Sequence, residues 1–150
     1  MTGHTTVREI RSPDTHDLRR RVLRDGSAEA QVAWDGDDDA RTTHLAVSSD
    51  GRITAISTWL VTPDPIAPVL DSVQLRGMAT DPVASGRGLG RALLESGVTR
   101  ARSAGRDRVW ANARLTALGF YERAGWTTTG AVFHTEVTGL PHRHVHLDLH

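Results

Sequence analysis

The residues best suited to chemistry lie between Asp71 and Ala92. The run Asp81-Pro82-Val83-Ala84-Ser85-Gly86-Arg87-Gly88-Leu89-Gly90-Arg91-Ala92 sets a glycine-rich turn directly before a segment of helical periodicity. The first amides of a helix have no partner inside it, and the helix dipole adds partial positive charge there. Gly88 and Gly90 let the main chain approach an anion without a Cβ in the way. Arg87 and Arg91 add charge-assisted donors. The ligand such a turn suits is a diphosphate. Two common diphosphate sites are excluded. A dinucleotide fingerprint needs a third glycine where Leu93 stands. A Walker-type phosphate loop needs a lysine, and the chain has none.

The strand expected to feed this turn, Asp71 to Thr80, carries an irregularity. Val73 and Leu75 lie on one face by alternation, but the next large apolar residue, Met78, is out of phase by one. One extra residue at Arg76-Gly77 would return Met78 to that face. A β-bulge leaves this pattern, and glycine readily hosts one. A bulge frees main-chain N–H groups, which can then bond a ligand carbonyl. Ordinary edge irregularity gives the same pattern, and the spacing alone does not separate the two.

Composition narrows the chemistry further. With no cysteine, thiolate metal sites, Fe–S clusters, disulfides and cysteine nucleophiles are excluded. All 18 basic residues are arginine, so no Schiff-base lysine exists either. Net charge is zero, which gives no reason to expect nucleic-acid or membrane binding. Arg19-Arg20-Arg21 reads as a solvated helix face. The stretch Asp35-Gly36-Asp37-Asp38-Asp39 lacks the fixed pattern of a calcium loop and reads as a solvated turn. His142, His144 and His146 share one face of a strand, with Val145, Leu147 and Leu149 on the other. That histidine face is expected to meet solvent, and no metal site is expected. Trp34, Trp59, Trp110 and Trp126 are expected in the core or as pocket walls.

Positioning these residues takes an ordered set of elements. Strands are expected at Val7–Arg11, His44–Ser48, Ile53–Val61, Asp71–Thr80, Asp107–Ala113, Thr127–Val137 and His144–Leu149. Helices are expected from Asp14 or Thr15 to about Arg24, from Gly88 to about Ser103, and from Leu115 to Ala124. Leu89, Leu93, Leu94, Val98 and Ala101 give the second helix a broad apolar face. The order β-α-β-β-β-α-β-α-β-β implies an α/β fold: one sheet of mixed direction with helices on both faces. At 150 residues the chain reads as a single domain, 1–150. No apolar run reaches the roughly 20 residues that cross a bilayer. Met1 to Glu9 lacks a signal-peptide core, so a cytoplasmic location is expected.

Together these segments resemble the GNAT N-acetyltransferases. Arg87-Gly88-Leu89-Gly90-Arg91-Ala92 fits that family's R/Q-x-x-G-x-G/A motif. Leu75 to Pro82 looks like its bulged fourth strand, and Asn112 with Phe120-Tyr121-Glu122 to Trp126 like its second cofactor segment. A narrower likeness, through Leu18-Arg19, Val22-Leu23, His44-Leu45, Phe133, Glu136 and Gly139-Leu140-Pro141-His142, points to the ElaA-like branch, with Leu140 replacing the usual isoleucine. The resemblance implies a bulged, splayed β4/β5 pair and acetyl-CoA as cosubstrate. It implies that the main chain of Met78, Ala79 and Thr80 pairs with pantetheine. The amides of Arg87, Gly88, Leu89, Gly90 and Arg91 would hold the pyrophosphate. Asn112 would bond the pantetheine amide, and Tyr121 would sit at the sulfur as the acid. Glu136 and His142 are the leading candidates for the base, ahead of Asp71 and His44. The acceptor would be a small-molecule or peptide amine, and a homodimer is compatible with the pattern. A non-catalytic CoA-binding sensor of the same fold is the alternative.

Overall fold

The computed structural model describes residues 5–136 and 138–150. Its strands are β1 Val7–Ile10, β2 Thr43–Ser49, β3 Arg52–Val61, β4 Ser72–Thr80, β5 Arg108–Arg114, β6 Thr127–His134 and β7 Pro141–Asp148. They form a mixed seven-stranded sheet in the order β1-β2-β3-β4-β5-β7-β6. The α-helices are α1 His16–Leu18, α2 Leu89–Ser103 and α3 Leu118–Arg123. The chain divides into two compact units: residues up to Val61 with Leu75–Arg100, and Thr62–Gln74 with Ala101–His150.

In the first unit β1, β2 and β3 form an antiparallel meander. The expected turn between β2 and β3 is made by Asp50 and Gly51, both at positive φ. Leu18, Ala46, Ile56 and Ala79 make a buried cluster, with Ile10, Val22, Leu23 and Ile53 packed around it. The first helical segment is less regular than its periodicity predicts. A 3-10 turn at Ser12–Thr15 leads into α1, and a π-type turn at Arg19–Leu23 follows. The wide turn carries Arg19 into the interior, where it is fully buried. Leu89, Leu93, Leu94, Val98 and Ala101 of α2 are all buried, as the apolar stripe requires.

The second unit opens with a parallel ladder of Ser72–Gln74 on Arg108–Trp110. β5 then runs antiparallel to β7 over its whole length, and β7 pairs with β6. β6 stops at His134, short of its expected end; Val137 lies outside the described residues. β7 begins earlier than expected, at Pro141. A 3-10 turn at Leu115–Ala117 leads into α3, which closes at Gly125 with φ +90°. Trp110 and Trp126 are buried here, and Trp59 in the first unit, as expected of core tryptophans.

One packing constraint has no signature in the sequence. A Cβ added to Gly97 of α2 would lie 1.9 Å from Cζ2 of Trp59. Glycine in mid-helix normally costs about 1 kcal/mol relative to alanine. Here the indole occupies the space that alanine would need. Gly97→Ala should therefore destabilise the protein, by about 1–3 kcal/mol as overpacking does. Thermal unfolding reads this directly; a raised Tm would mean that the indole yields without cost.

Candidate active site

The glycine-rich turn starts from a well-tied residue. Asp81 donates its N–H to Thr54 O at 2.7 Å and accepts from the Val83 N–H at 3.1 Å. Arg21 adds a 3.1 Å ion pair. The Val83 amide, and after it Arg21, hold the Asp81 carboxyl below its ordinary range against desolvation. A 3-10 turn at Pro82–Ala84 follows. Gly86 and Gly88 then stand at φ +79° and +74°, backbone that other residues rarely adopt. The bond from Ala92 N–H to Gly88 O, 3.1 Å, begins the helical pattern. The amides of Leu89, Gly90 and Arg91 precede that bond and so lack an intrahelical acceptor. Leu89 is buried and anchors the turn, while Arg87, Gly88 and Arg91 are exposed. Arg91 also pairs with Glu95 at 2.9 Å.

β4 is interrupted at Gly77, but burial does not follow the expected slip of one residue: Val73, Leu75 and Ala79 keep a single alternation. Gly77 stands at φ +62° within an otherwise extended strand. Beyond it Ala79, not Met78, is the buried residue; Met78 is half-buried. The apolar position assigned to Met78 is filled by the smaller side chain, packed with Leu18, Ala46 and Ile56. A Cβ on Gly77 would meet the Trp34 ring at 2.6 Å, so the indole lies directly against the kinked backbone.

Trp34 is held by a polar network that the sequence reading missed. Its backbone N–H donates to Asp37 Oδ2 at 2.8 Å. The Arg19 guanidinium covers its ring at 3.7 Å, and that of Arg76 lies at 5.1 Å. Arg19 donates to both Asp37 oxygens, at 2.6 and 3.0 Å, to Val32 O at 2.8 Å and to Thr58 Oγ1 at 2.8 Å. His44 completes the set, with Nδ1 2.9 Å from Thr58 Oγ1 and Nε2 2.9 Å from Asp37 O. Two expectations are corrected here. Arg19 does not belong to a solvated face, and Asp37 is not a solvated loop residue. Burying one of these charges requires burying the other.

The second unit holds the remaining candidates. Asn112 is exposed on β5, directly opposite His144 of β7. Tyr121 of α3 is 7% exposed, and burial pushes its hydroxyl up to about 12. Its ring packs against Phe120 and Trp126 at 5.2 and 5.1 Å. Glu136 is exposed in the turn after β6. His142 is buried, bonds Leu140 O through Nδ1 at 2.8 Å and stacks on Phe133. Asp71 is exposed and paired to Arg106. The histidine face of β7 is not solvent-facing: His142 and His144 are each 8% exposed, and His146 is half-buried. Asp64, fully buried from the connection between β3 and β4, lies over that face and binds His144.

A mixed sheet of this order, with unpaired amides opening the helix after its fourth strand, defines an acyltransferase architecture. Residues 5–126 match the family described as Acetyltransferase (GNAT) family, and the chain belongs to that family. The uncharacterized N-acetyltransferase YitI of Bacillus subtilis (strain 168) is 29% identical over 127 residues, 85% of each chain. The crystal structure of Escherichia coli ElaA superposes with a TM-score of 0.77 at 15% identity, over 95% of this chain and 99% of that one. An aminoglycoside 6'-N-acetyltransferase solved with coenzyme A superposes with a TM-score of 0.76 at 11% identity, over 97% of both chains. At these identities the two structures share the fold with this chain. Among the described residues no helix is long and apolar enough to cross a membrane.

The Arg19–Asp37 pair carries a clear expectation. Asp37→Ala leaves a buried guanidinium uncompensated and should cost about 3–5 kcal/mol. Acid should act in the same direction. Burial opposes ionisation of Asp37, but Arg19 and the Trp34 N–H outweigh it and lower the pKa from 3.8. The stabilisation is therefore present above about pH 4 and lost as pH falls through the lower, folded value. Denaturant titrations of wild type and Asp37→Ala between neutral and acid pH should converge; parallel curves would contradict the assignment.

Proposed function

We propose that the chain transfers the acetyl group of acetyl-CoA to the nitrogen of a small-molecule or peptide amine by direct attack. Residues 1–150 act as a single domain in this reading. The observation that carries it is the turn at Gly86–Arg91, with its positive-φ glycines and unpaired helix-opening amides, in a chain of the GNAT family. The amides from Arg87 through Gly88, Leu89 and Gly90 to Arg91 take the pyrophosphate. The main chain of Met78, Ala79 and Thr80 receives the pantetheine arm as an added strand. The backbone freed at the Gly77 kink polarises the thioester carbonyl and steadies the oxyanion.

Asn112 bonds the pantetheine amide. Tyr121 supplies the proton that the departing thiolate takes up. Its hydroxyl carries the proton this role needs at neutral pH, while burial, by raising its pKa to about 12, makes that proton harder to release until the thiolate forms beside it. Glu136 and His142 serve the acceptor side. Without a cysteine, no acyl-thioester on the enzyme can form, which favours attack from the bound amine. The residues shared with the ElaA-like branch, together with the fold likeness to ElaA, support placement in that branch.

Calorimetry with acetyl-CoA tests the loop. Gly90→Glu puts bulk and negative charge at the phosphates and should abolish binding; wild-type affinity in this variant would remove the assignment. Coenzyme A release on a panel of alkylamines, polyamines, aminoglycosides and dipeptides tests turnover. Binding without release on any amine would favour the sensor reading. Tyr121→Phe should lower kcat by about 10²-fold with little change in acetyl-CoA affinity. Full activity would end its role as the acid.

A further inference from the structure

We infer that His144, oriented by the buried carboxylate of Asp64, is the proton acceptor for the amine in this transfer; the inference rests on the acyltransfer reading above. Asp64 is completely buried. Both of its oxygens lie 2.9 Å from Nε2 of His144. The Ile66 N–H at 3.0 Å and Arg108 at 3.1 Å fix the carboxylate from other sides. An ionised carboxylate only accepts, so Nε2 carries the proton. The neutral ring then keeps a lone pair on Nδ1. That atom is buried with no hydrogen-bond partner among the described residues. Leaving such an atom unpaired costs about 1–3 kcal/mol, so its presence in a folded core calls for a reason.

The position of His144 supplies one. In the β5–β7 ladder it stands directly opposite Asn112, so the two side chains share a face. Cβ atoms of such pairs lie about 4.5–5.5 Å apart. Asn112 is the residue assigned to the pantetheine arm, which brings the acyl carrier beside the ring. Trp110 stacks on the imidazole at 5.9 Å between centroids, with 13° between planes. His146 lies on β7 at 5.3 Å, its pKa lowered by burial and then by Arg108. The other charged or titratable groups around the ring are Asp64, Arg108, Asp148, which pairs with Arg108 at 2.7 Å, and His142 two residues along β7. Other candidates are committed or undirected. Both ring nitrogens of His44 are bonded, Nδ1 of His142 is spent on Leu140 O, Asp71 pairs with Arg106, and Glu136 is exposed in a turn.

The acceptor arrives as an ammonium. One N–H bond breaks and its proton forms Nδ1–H, giving an imidazolium paired to Asp64. The freed lone pair forms the N–C bond at the thioester carbonyl, and the C–S bond breaks. The second proton lost by nitrogen ends on sulfur by way of Tyr121. The Nδ1 proton then passes to solvent.

His144→Gln tests the assignment, because glutamine keeps an N–H for Asp64 but offers no base. With an alkyl amine, kcat/KM at pH 7 should fall about 10²-fold or more. Acetyl-CoA affinity should be unchanged. The deficit should shrink by about tenfold per pH unit as the amine deprotonates itself in solution. A deficit independent of pH, or no deficit, overturns the inference. Ring 15N spectra of the wild-type chain give a second reading that does not depend on the variant folding. They should show Nε2 protonated and Nδ1 bare in the neutral ring; a proton on Nδ1 overturns the inference. Failure of the wild type to bind acetyl-CoA, or to release coenzyme A on any amine, instead strikes the acyltransfer reading, and the 15N spectra still decide the tautomer.

Discussion

The burial of the Arg19 guanidinium is the constraint around which the first unit is organised. A charge with no solvent exposure must find both an opposite charge and acceptors for its N–H groups. Arg19 finds the charge and most of the acceptors on two separate segments: Asp37 and Val32 in the loop, and Thr58 on β3, with Nε left unpartnered among the described residues. The loop from Gln31 to Asp39 is thereby tied to the sheet despite a composition that favours solvent. Trp34 is carried along with it and comes to rest on Gly77. The kink in β4 thus has the indole as a fixed neighbour, and the indole is in turn covered by the buried guanidinium. Rigidity where the thioester is expected to bind therefore starts from an ion pair well away in sequence.

Asp64 does comparable work in the second unit. It gathers Arg108 of β5, His144 of β7 and the Ile66 amide of its own loop. Its hydrogen bonds and ion pair hold these side chains in place against one another. A network of this kind is worth keeping only when every member is satisfied. Within this network, and among the described residues, Nδ1 of His144 is the side-chain atom left without a partner, which makes it informative.

The order of strands and helices, the apolar stripe of α2 and the turn at Gly86–Arg91 were legible in the sequence. These are local signals: period and glycine placement. The slip read at Met78 was misleading, because Ala79, in step with Val73 and Leu75, is the buried residue. The extent of the first helix was legible, but its π-type turn was not, because nothing local distinguishes Arg19 from Arg20 and Arg21. Asp37 likewise sits among other aspartates, and only the tertiary partner selects it. The face of β7 was misread for a related reason. Alternation tells which side chains share a face, but not whether a distant loop covers it, and Asp64 lies some 80 positions before His144. Gly97 against Trp59 belongs to the same class, a contact fixed by shape rather than by pattern.

Apart from the His144–Asp64 contact, these ion pairs are made with arginine: Arg19 with Asp37, Arg21 with Asp81, Arg91 with Glu95, Arg106 with Asp71, and Arg108 with Asp64 and Asp148. A guanidinium stays protonated far above neutral pH and offers no free lone pair to an acyl donor. A lysine in any of these places would be an amine held close to an activated acetyl group. The framework is therefore built from cations that its own proposed substrate cannot modify. Self-acylation of a side-chain amine is ruled out by composition, and the charge pairs that hold the fold remain intact however long the acyl donor stays bound.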